Sequence, residues 1–123
     1  MAKIAVVEDN AAVRQELCGF IAQYAQESGQ LLEVTPFADG SQIVEPYRPG
    51  FDIIFLDIEM PTLGGMPTAE RIRLLDPDVV LIFVTNMAQY AIRGYEVDAL
   101  DFVLKPVSYY QFSTKLDLSL IHI

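Results

Sequence analysis

Phe51-Asp52-Ile53-Ile54-Phe55-Leu56-Asp57 is the stretch on which the fold turns. Its apolar residues run continuously instead of alternating, which is the pattern of a strand covered on both faces, and such strands belong to parallel sheets. The run stops at Asp57 and gives way to a loop rich in Pro and Gly over residues 60–67. Upstream, Lys3-Ile4-Ala5-Val6-Val7 repeats the pattern and runs into Glu8-Asp9. Downstream, Val79-Val80-Leu81-Ile82-Phe83-Val84 is the clearest strand of the chain and ends at Thr85-Asn86. A weaker strand pattern over residues 31–37 and a short Phe102-Val103-Leu104 bring the predicted strands to five.

Segments of helical period separate these runs. Val13, Leu17, Phe20, Ile21 and Tyr24 form one apolar stripe, with Asn10 suited to cap the helix and Ser28-Gly29 to end it. Ala38-Asp39-Gly40-Ser41 marks a turn before a short helix around residues 41–47, closed by Pro46 and Pro49-Gly50. A third helix is predicted over about residues 67–75, with Ala69, Ile72 and Leu75 facing inward and Asp76-Pro77 terminating it. Met87, Tyr90, Ala91 and Gly94 give a fourth, and Phe112, Leu116, Leu120 and Ile123 a final one. Five strands alternating with five helices predict an α/β, doubly wound, flavodoxin-like parallel sheet of order 2-1-3-4-5 with helices on both faces. Ligands of such folds sit beyond the carboxyl ends of the strands at the switch point, here between the first and third strands.

The composition agrees with one domain over residues 1–123. The chain has 123 residues, 52% hydrophobic, enough for a single core. Seventeen Asp and Glu against eight Lys and Arg leave a net charge of −9, which argues against nucleic acid or an anionic membrane as a direct partner. The N-terminus shows no apolar signal core and the chain no membrane-length apolar run, so a cytoplasmic protein is expected. Cys18, the single cysteine, has no partner for a disulfide or metal site and is expected to be a small buried core residue.

The residues just past the strands carry the chemistry: Glu8 and Asp9 after the first, Asp57 after the third, Thr85 after the fourth and Lys105 after the fifth. Three clustered carboxylates repel, and a hard divalent cation with oxygen ligands offsets that repulsion, which points to Mg²⁺. Asp9 and Asp57 are the expected direct ligands, the backbone carbonyl of Glu59 a third, and Glu8 an outer-sphere ligand. A carboxylate beside Mg²⁺ can attack phosphorus to form an acyl phosphate, with the Lys105 ammonium and the Thr85 hydroxyl meeting the phosphoryl oxygens.

At these residues the chain resembles the receiver domains of two-component response regulators, with Glu8-Asp9, Asp57, Thr85 and Lys105-Pro106 all present in order. The resemblance covers essentially the whole length. It implies Asp57 as phosphoacceptor for a sensor histidine kinase, Thr85 as switch hydroxyl, Lys105 as phosphate-binding lysine and Phe102 as aromatic rotamer switch. It also implies a cis peptide at Lys105-Pro106, and a phosphoacceptor with intrinsic phosphorylation and dephosphorylation chemistry but no enzymatic turnover of its own. Residues 92–107, from Ile92-Arg93-Gly94-Tyr95 to Lys105-Pro106-Val107, are similar to receivers that precede a LytTR-type DNA-binding domain. Two departures stand out: the acid pair is Glu-Asp where many relatives have Asp-Asp, and Phe102 stands where Tyr is commoner.

Blander readings apply to each residue singly: a solvated loop acid, a surface lysine, a helix cap at Thr85, a core aromatic at Phe102. Gly64-Gly65 lacks the lysine and serine of a phosphate-binding loop and reads as a flexible turn. Tyr90, Ile92, Tyr95, Val97, Tyr109 and Tyr110 flank the fourth and fifth helices, and those left outside the core would suit a partner or homodimer face made with the fifth strand. Three rivals compete with phosphoacceptance. A receiver-like interaction module would make constitutive contacts, a flavodoxin would need phosphate-accepting groups where Glu8-Asp9 repel, and an aspartate-nucleophile phosphatase should carry its acids on the first strand. The final helix runs into residues 119–123 without a stop signal, so a downstream output domain, or a tail altered by cloning, is expected.

Overall fold

The computed structural model describes residues 1–86 and 96–123. Five parallel strands, β1 (Ala2–Val7), β2 (Leu32–Phe37), β3 (Ile53–Asp57), β4 (Val80–Thr85) and β5 (Asp101–Leu104), lie in the order β2-β1-β3-β4-β5. The described helices are α1 (Ala11–Ser28), α2 (Gly40–Val44), α3 (Gly65–Leu75) and α4 (Tyr109–Ile121). The fourth helix expected from Met87, Tyr90, Ala91 and Gly94 lies outside the described residues, as do Ile92 and Tyr95; α4 is therefore the fifth helix of the sequence reading.

Strand alternation builds two cores from one sheet. Ile4, Val6, Ile53, Phe55, Ile82 and Val84 face α1 and α4, where Leu17, Ile21, Phe112 and Leu116 cover them. Ala5, Val7, Ile54, Leu56, Leu81 and Phe83 face the other side and meet Ile43, Met66, Ala69, Ile72 and Val97. Every residue of β3 and β4 is buried, as the unbroken apolar runs require. Burying each large side chain stabilises the fold by roughly 1.5–3 kcal/mol. Phe55 and Phe112 pack with ring centroids 4.6 Å apart, locking α4 onto the centre of the sheet. Tyr24 donates to Asp117 at 2.6 Å and Tyr109 to Glu27 at 2.6 Å, joining α1 to α4.

Local signals set the boundaries. Asn10 accepts hydrogen bonds from Ala12 N and Val13 N, and Gly29 ends α1 in the left-handed conformation at φ 72°, where a Cβ would be disfavoured. α2 stops at Val44, before the expected end near Tyr47, because Pro46 cannot continue a helix. α3 starts at Gly65, two residues before Pro67; a proline in the first turn gives up only an N–H that has no helical partner. β2 is an edge strand and tolerates Pro36 for a similar reason. Cys18 is half-buried against the α1–α4 core and not fully enclosed.

Arg73, on α3, ties down the lower corner of the domain. Its guanidinium donates to the carbonyls of Val97 (2.6 Å), Val79 (2.6 Å), Asp76 (3.2 Å), Pro77 (3.2 Å) and Asp98 (3.1 Å). Asp98 has a positive φ of 51°, a conformation Asp tolerates better than most residues.

Candidate functional site

β1 and β3 are neighbours whose connections leave in opposite directions, so a crevice opens above their carboxyl ends. β3 delivers Asp57 there, buried at 5% exposure, as its last residue. β1 delivers Glu8, 1% exposed, whose N–H donates to Phe37 O at 3.0 Å and so extends the pairing with β2 by one residue. The exposed Asp9 follows. The acid turn is pinned from behind: Arg14 donates to Glu8 O at 2.8 Å and Asp9 O at 3.4 Å, and Asn10 N donates to Glu8 Oε2 at 3.1 Å. One carboxylate oxygen from each of Glu8, Asp9 and Asp57 falls within 4.8 Å of the other two.

Lys105 enters from the far side of β4. Its N–H donates to Thr85 O at 2.8 Å, continuing the β4–β5 ladder, and its ammonium lies 2.6 Å from Glu8 Oε1 and 3.4 Å from Asp57 Oδ1. The Lys105-Pro106 peptide bond is cis. Glu59, Met60, Pro61, Asn10 and Asn86 complete the lining of a cleft of about 390 Å³, room for a phosphoryl group beside a hydrated cation. Thr85 is 2% exposed and ends β4 between the strands of Asp57 and Lys105. Phe102 does not line this cleft. It pairs in register with Phe83, packs half-buried on the α2–α3 side, and borders an apolar groove with Leu104 and Tyr110.

The electrostatics leave this cleft short of positive charge. Burial is the main cause that pushes the Asp57 carboxyl up to about 7, and the Glu8 carboxylate adds to it while Lys105 pulls the other way. For Lys105 burial opposes the ammonium, but the hydrogen bond it donates to Glu8 and the charges of Asp57 and Glu8 outweigh it, and the group is held above its ordinary value. Glu8 Oε1 is enclosed, and among the described residues its one close partner is the Lys105 ammonium at 2.6 Å. Among the described residues one ammonium faces three carboxylates, and that charge balance and the all-oxygen donor set fit a hard divalent cation.

Two functional features escaped the sequence reading. Gly65 is not a flexible turn: it is buried, and a Cβ there would overlap Asp57 O and lie 2.9 Å from Ile58 Cα. The first residue of α3 must therefore be glycine for the helix to start against the backbone of Asp57. Asp39, read as a turn residue, is 7% exposed and accepts three backbone hydrogen bonds, two of them from the β3–α3 loop. The Ala38-Asp39-Gly40-Ser41 sequence signalled a turn, but nothing local signalled the loop that lies 23 residues away.

A doubly wound parallel domain with an acid cluster and a lysine at its switch point defines a class: flavodoxin-like domains that carry carboxylates there in place of a phosphate-binding loop. The model of the response regulator receiver domain matches residues 4–117, and the chain belongs to that family. The chain is similar to the sensory transduction protein LytT of Oceanobacillus iheyensis, 30% identical over 119 residues, covering 93% of this chain and 46% of that protein. It is also similar to the transcriptional regulatory protein BtsR of Escherichia coli, 33% identical over 110 residues, 87% of this chain and 43% of that one. The chain thus spans less than half the length of these curated relatives. Among solved structures, the non-phosphorylated HemR receiver domain of Leptospira biflexa superposes with a TM-score of 0.84 at 28% identity, covering 98% of this chain and 94% of that one. The response regulator TrrA of Thermotoga maritima, solved in complex with Mg²⁺-BeF, gives a TM-score of 0.78 at 26% identity over 97% and 99% of the two chains. No helix among the described residues is long and apolar enough to cross a membrane.

Proposed function

We propose that this receiver domain accepts a phosphoryl group on Asp57 from a sensor histidine kinase. The observation that carries the reading is the meeting of Glu8, Asp9 and Asp57 with the Lys105 ammonium at one sheet edge. Mg²⁺ held by Asp9, Asp57 and the Glu59 carbonyl, with Glu8 in the outer sphere, would supply the positive charge that the phosphoryl oxygens and the crowded carboxylates both need. An Asp57 oxygen forms the new bond to phosphorus as the donor's bond to phosphorus breaks, so no general base is required. Lys105, 3.4 Å from Asp57, steadies the oxygens of the transferred group, and Thr85 donates its hydroxyl to one of them. The complex of TrrA with Mg²⁺-BeF supports this chemistry by analogy.

The phosphoryl group then shifts Thr85 and Phe102 between two arrangements and changes the face formed by the predicted fourth helix, β5 and α4. That face controls an output domain of the LytTR DNA-binding type, or a homodimer, in a cytoplasmic regulator; the names of the relatives as sensory transduction and transcriptional regulatory proteins support it. The acidic surface leaves DNA contact to the output domain.

The test is incubation with Mg²⁺ and a small-molecule phosphodonor, followed by intact-mass spectrometry. Wild type should gain one acid-stable, base-labile phosphate, and Asp57→Asn none. Equal gain by both proteins would overturn the reading.

A further inference from the structure

The β3–α3 loop, residues 58–64, brings Glu59, Met60 and Pro61 to the cleft and then has to return as α3. Its base is closed by Gly65 N donating to Ile58 O at 2.8 Å. Its far end is gripped from a different part of the chain. Asp39 Oδ1 accepts from Thr62 N at 3.1 Å, and Oδ2 accepts from Leu63 N at 3.1 Å and from Ser41 N at 2.9 Å. The neighbouring Gly40 lets the two segments close up: a Cβ there would lie 2.6 Å from Leu63 O and overlap Thr68 Oγ1. Thr68 in turn donates its hydroxyl to Gly64 O at 2.8 Å.

The residue type fits the task. Three N–H donors converge on one side chain, and an ionised carboxylate presents acceptors in every direction, with charge-assisted hydrogen bonds stronger than neutral ones. Asparagine has a single acceptor oxygen and would turn an NH₂ towards a backbone N–H. Serine would still cap α2 through Ser41 N but is too short to reach Thr62 and Leu63. Capping alone therefore does not call for this buried acid, and the two loop bonds do.

We infer that Asp39 is a positioning residue for the Asp57 cleft: it fixes the β3–α3 loop so that the Glu59 backbone is in place before a cation arrives. The inference rests on the reading that this cleft binds Mg²⁺. Supporting groups that orient ligands commonly change metal affinity by about 10–100-fold when removed.

The experiment is a Mg²⁺ titration of the ¹⁵N-labelled chain followed by NMR, with amide hydrogen exchange and denaturant unfolding on the same samples, for wild type, Asp39→Ser and Asp39→Asn. Asp39→Ser should unfold cooperatively, bind Mg²⁺ about tenfold more weakly, and exchange the Thr62 and Leu63 amides at least tenfold faster. If it does not fold, the isosteric Asp39→Asn carries the same comparison. A lowered unfolding midpoint with wild-type Mg²⁺ affinity would reduce Asp39 to a structural residue and overturn the inference, as would unchanged exchange at Thr62 and Leu63. A wild type with no Mg²⁺-dependent shift near Asp9 and Asp57 would overturn the cleft reading itself and the inference with it, a failure visible in the wild-type arm alone.

Discussion

Asp39 and Asp57 expose similar fractions of their surface, 7% and 5%, and stand at or just past the carboxyl ends of strands in the same sheet, yet Asp57 lies deeper and the two carboxyls are driven in opposite directions. At Asp39 burial raises the carboxyl, but hydrogen bonds from Ser41, Thr62 and Leu63 more than offset it, and the group is held below the usual range. At Asp57 burial also raises the carboxyl, the Glu8 charge adds to it, and Lys105 compensates only in part. Low surface exposure by itself thus says little about what an acid is for. A carboxylate whose acceptors are filled by backbone N–H groups is a fastener, whereas one left with like charges is waiting for a ligand.

The largest expected effect falls on chemistry: Asp57→Asn abolishes phosphate gain, read by mass spectrometry. The same substitution should have opposite signs in stability at the two sites. Without Mg²⁺ at neutral pH, Asp57→Asn relieves repulsion and should stabilise by about 1–3 kcal/mol, while Asp39→Asn should destabilise by about 1–3 kcal/mol, both read from urea unfolding. Equal signs would break the comparison. Gly65→Ala forces a methyl into the backbone of Asp57 and should cost about 1–3 kcal/mol together with slower phosphate uptake, since the nucleophile itself must shift.

pH sharpens the contrast further. The Asp57 carboxyl is higher in the folded than in the unfolded chain, so the folded form holds the extra proton and stability should fall as pH rises from about 4 to about 7. Mg²⁺ or Asp57→Asn should flatten that slope. The Asp39 carboxyl is lower in the folded chain, so its contribution is present above the unfolded value near about 4 and is lost as pH falls through the folded value; Asp39→Asn should soften the acid limb of unfolding. The smallest effect belongs to the exposed Arg71–Glu45 pair, 3.6 Å apart, where Glu45→Gln should change stability by under about 0.5 kcal/mol.

Much of this was readable from the chain because the signals are one-dimensional. Short unbroken apolar runs rich in β-branched residues at β3 and β4 read as doubly covered strands, and parallel strands put their terminal residues on one edge, so Glu8, Asp9, Asp57, Thr85 and Lys105 could be grouped without coordinates. Asn10 and Gly29 marked α1 at both ends. What stayed hidden depends on approach in three dimensions. Gly65 looks like loop composition until the carbonyl of Asp57 is found against it. Asp39 looks like an ordinary turn residue until the amides of Thr62 and Leu63 arrive. The switch role of Phe102 comes from resemblance alone, and the packing of its ring on the α2–α3 side, beside the Leu104–Tyr110 groove, is not written in the sequence.

The Arg73 fork has a mechanical corollary. A single planar group satisfies five carbonyl oxygens drawn from the end of α3, the approach to β4 and the turn at residues 97–98. Withdrawing it would remove a donor from all five at once, so one side chain couples the three segments. Val97 and Asp98 are thereby tied to α3 and to the approach to β4 by one side chain.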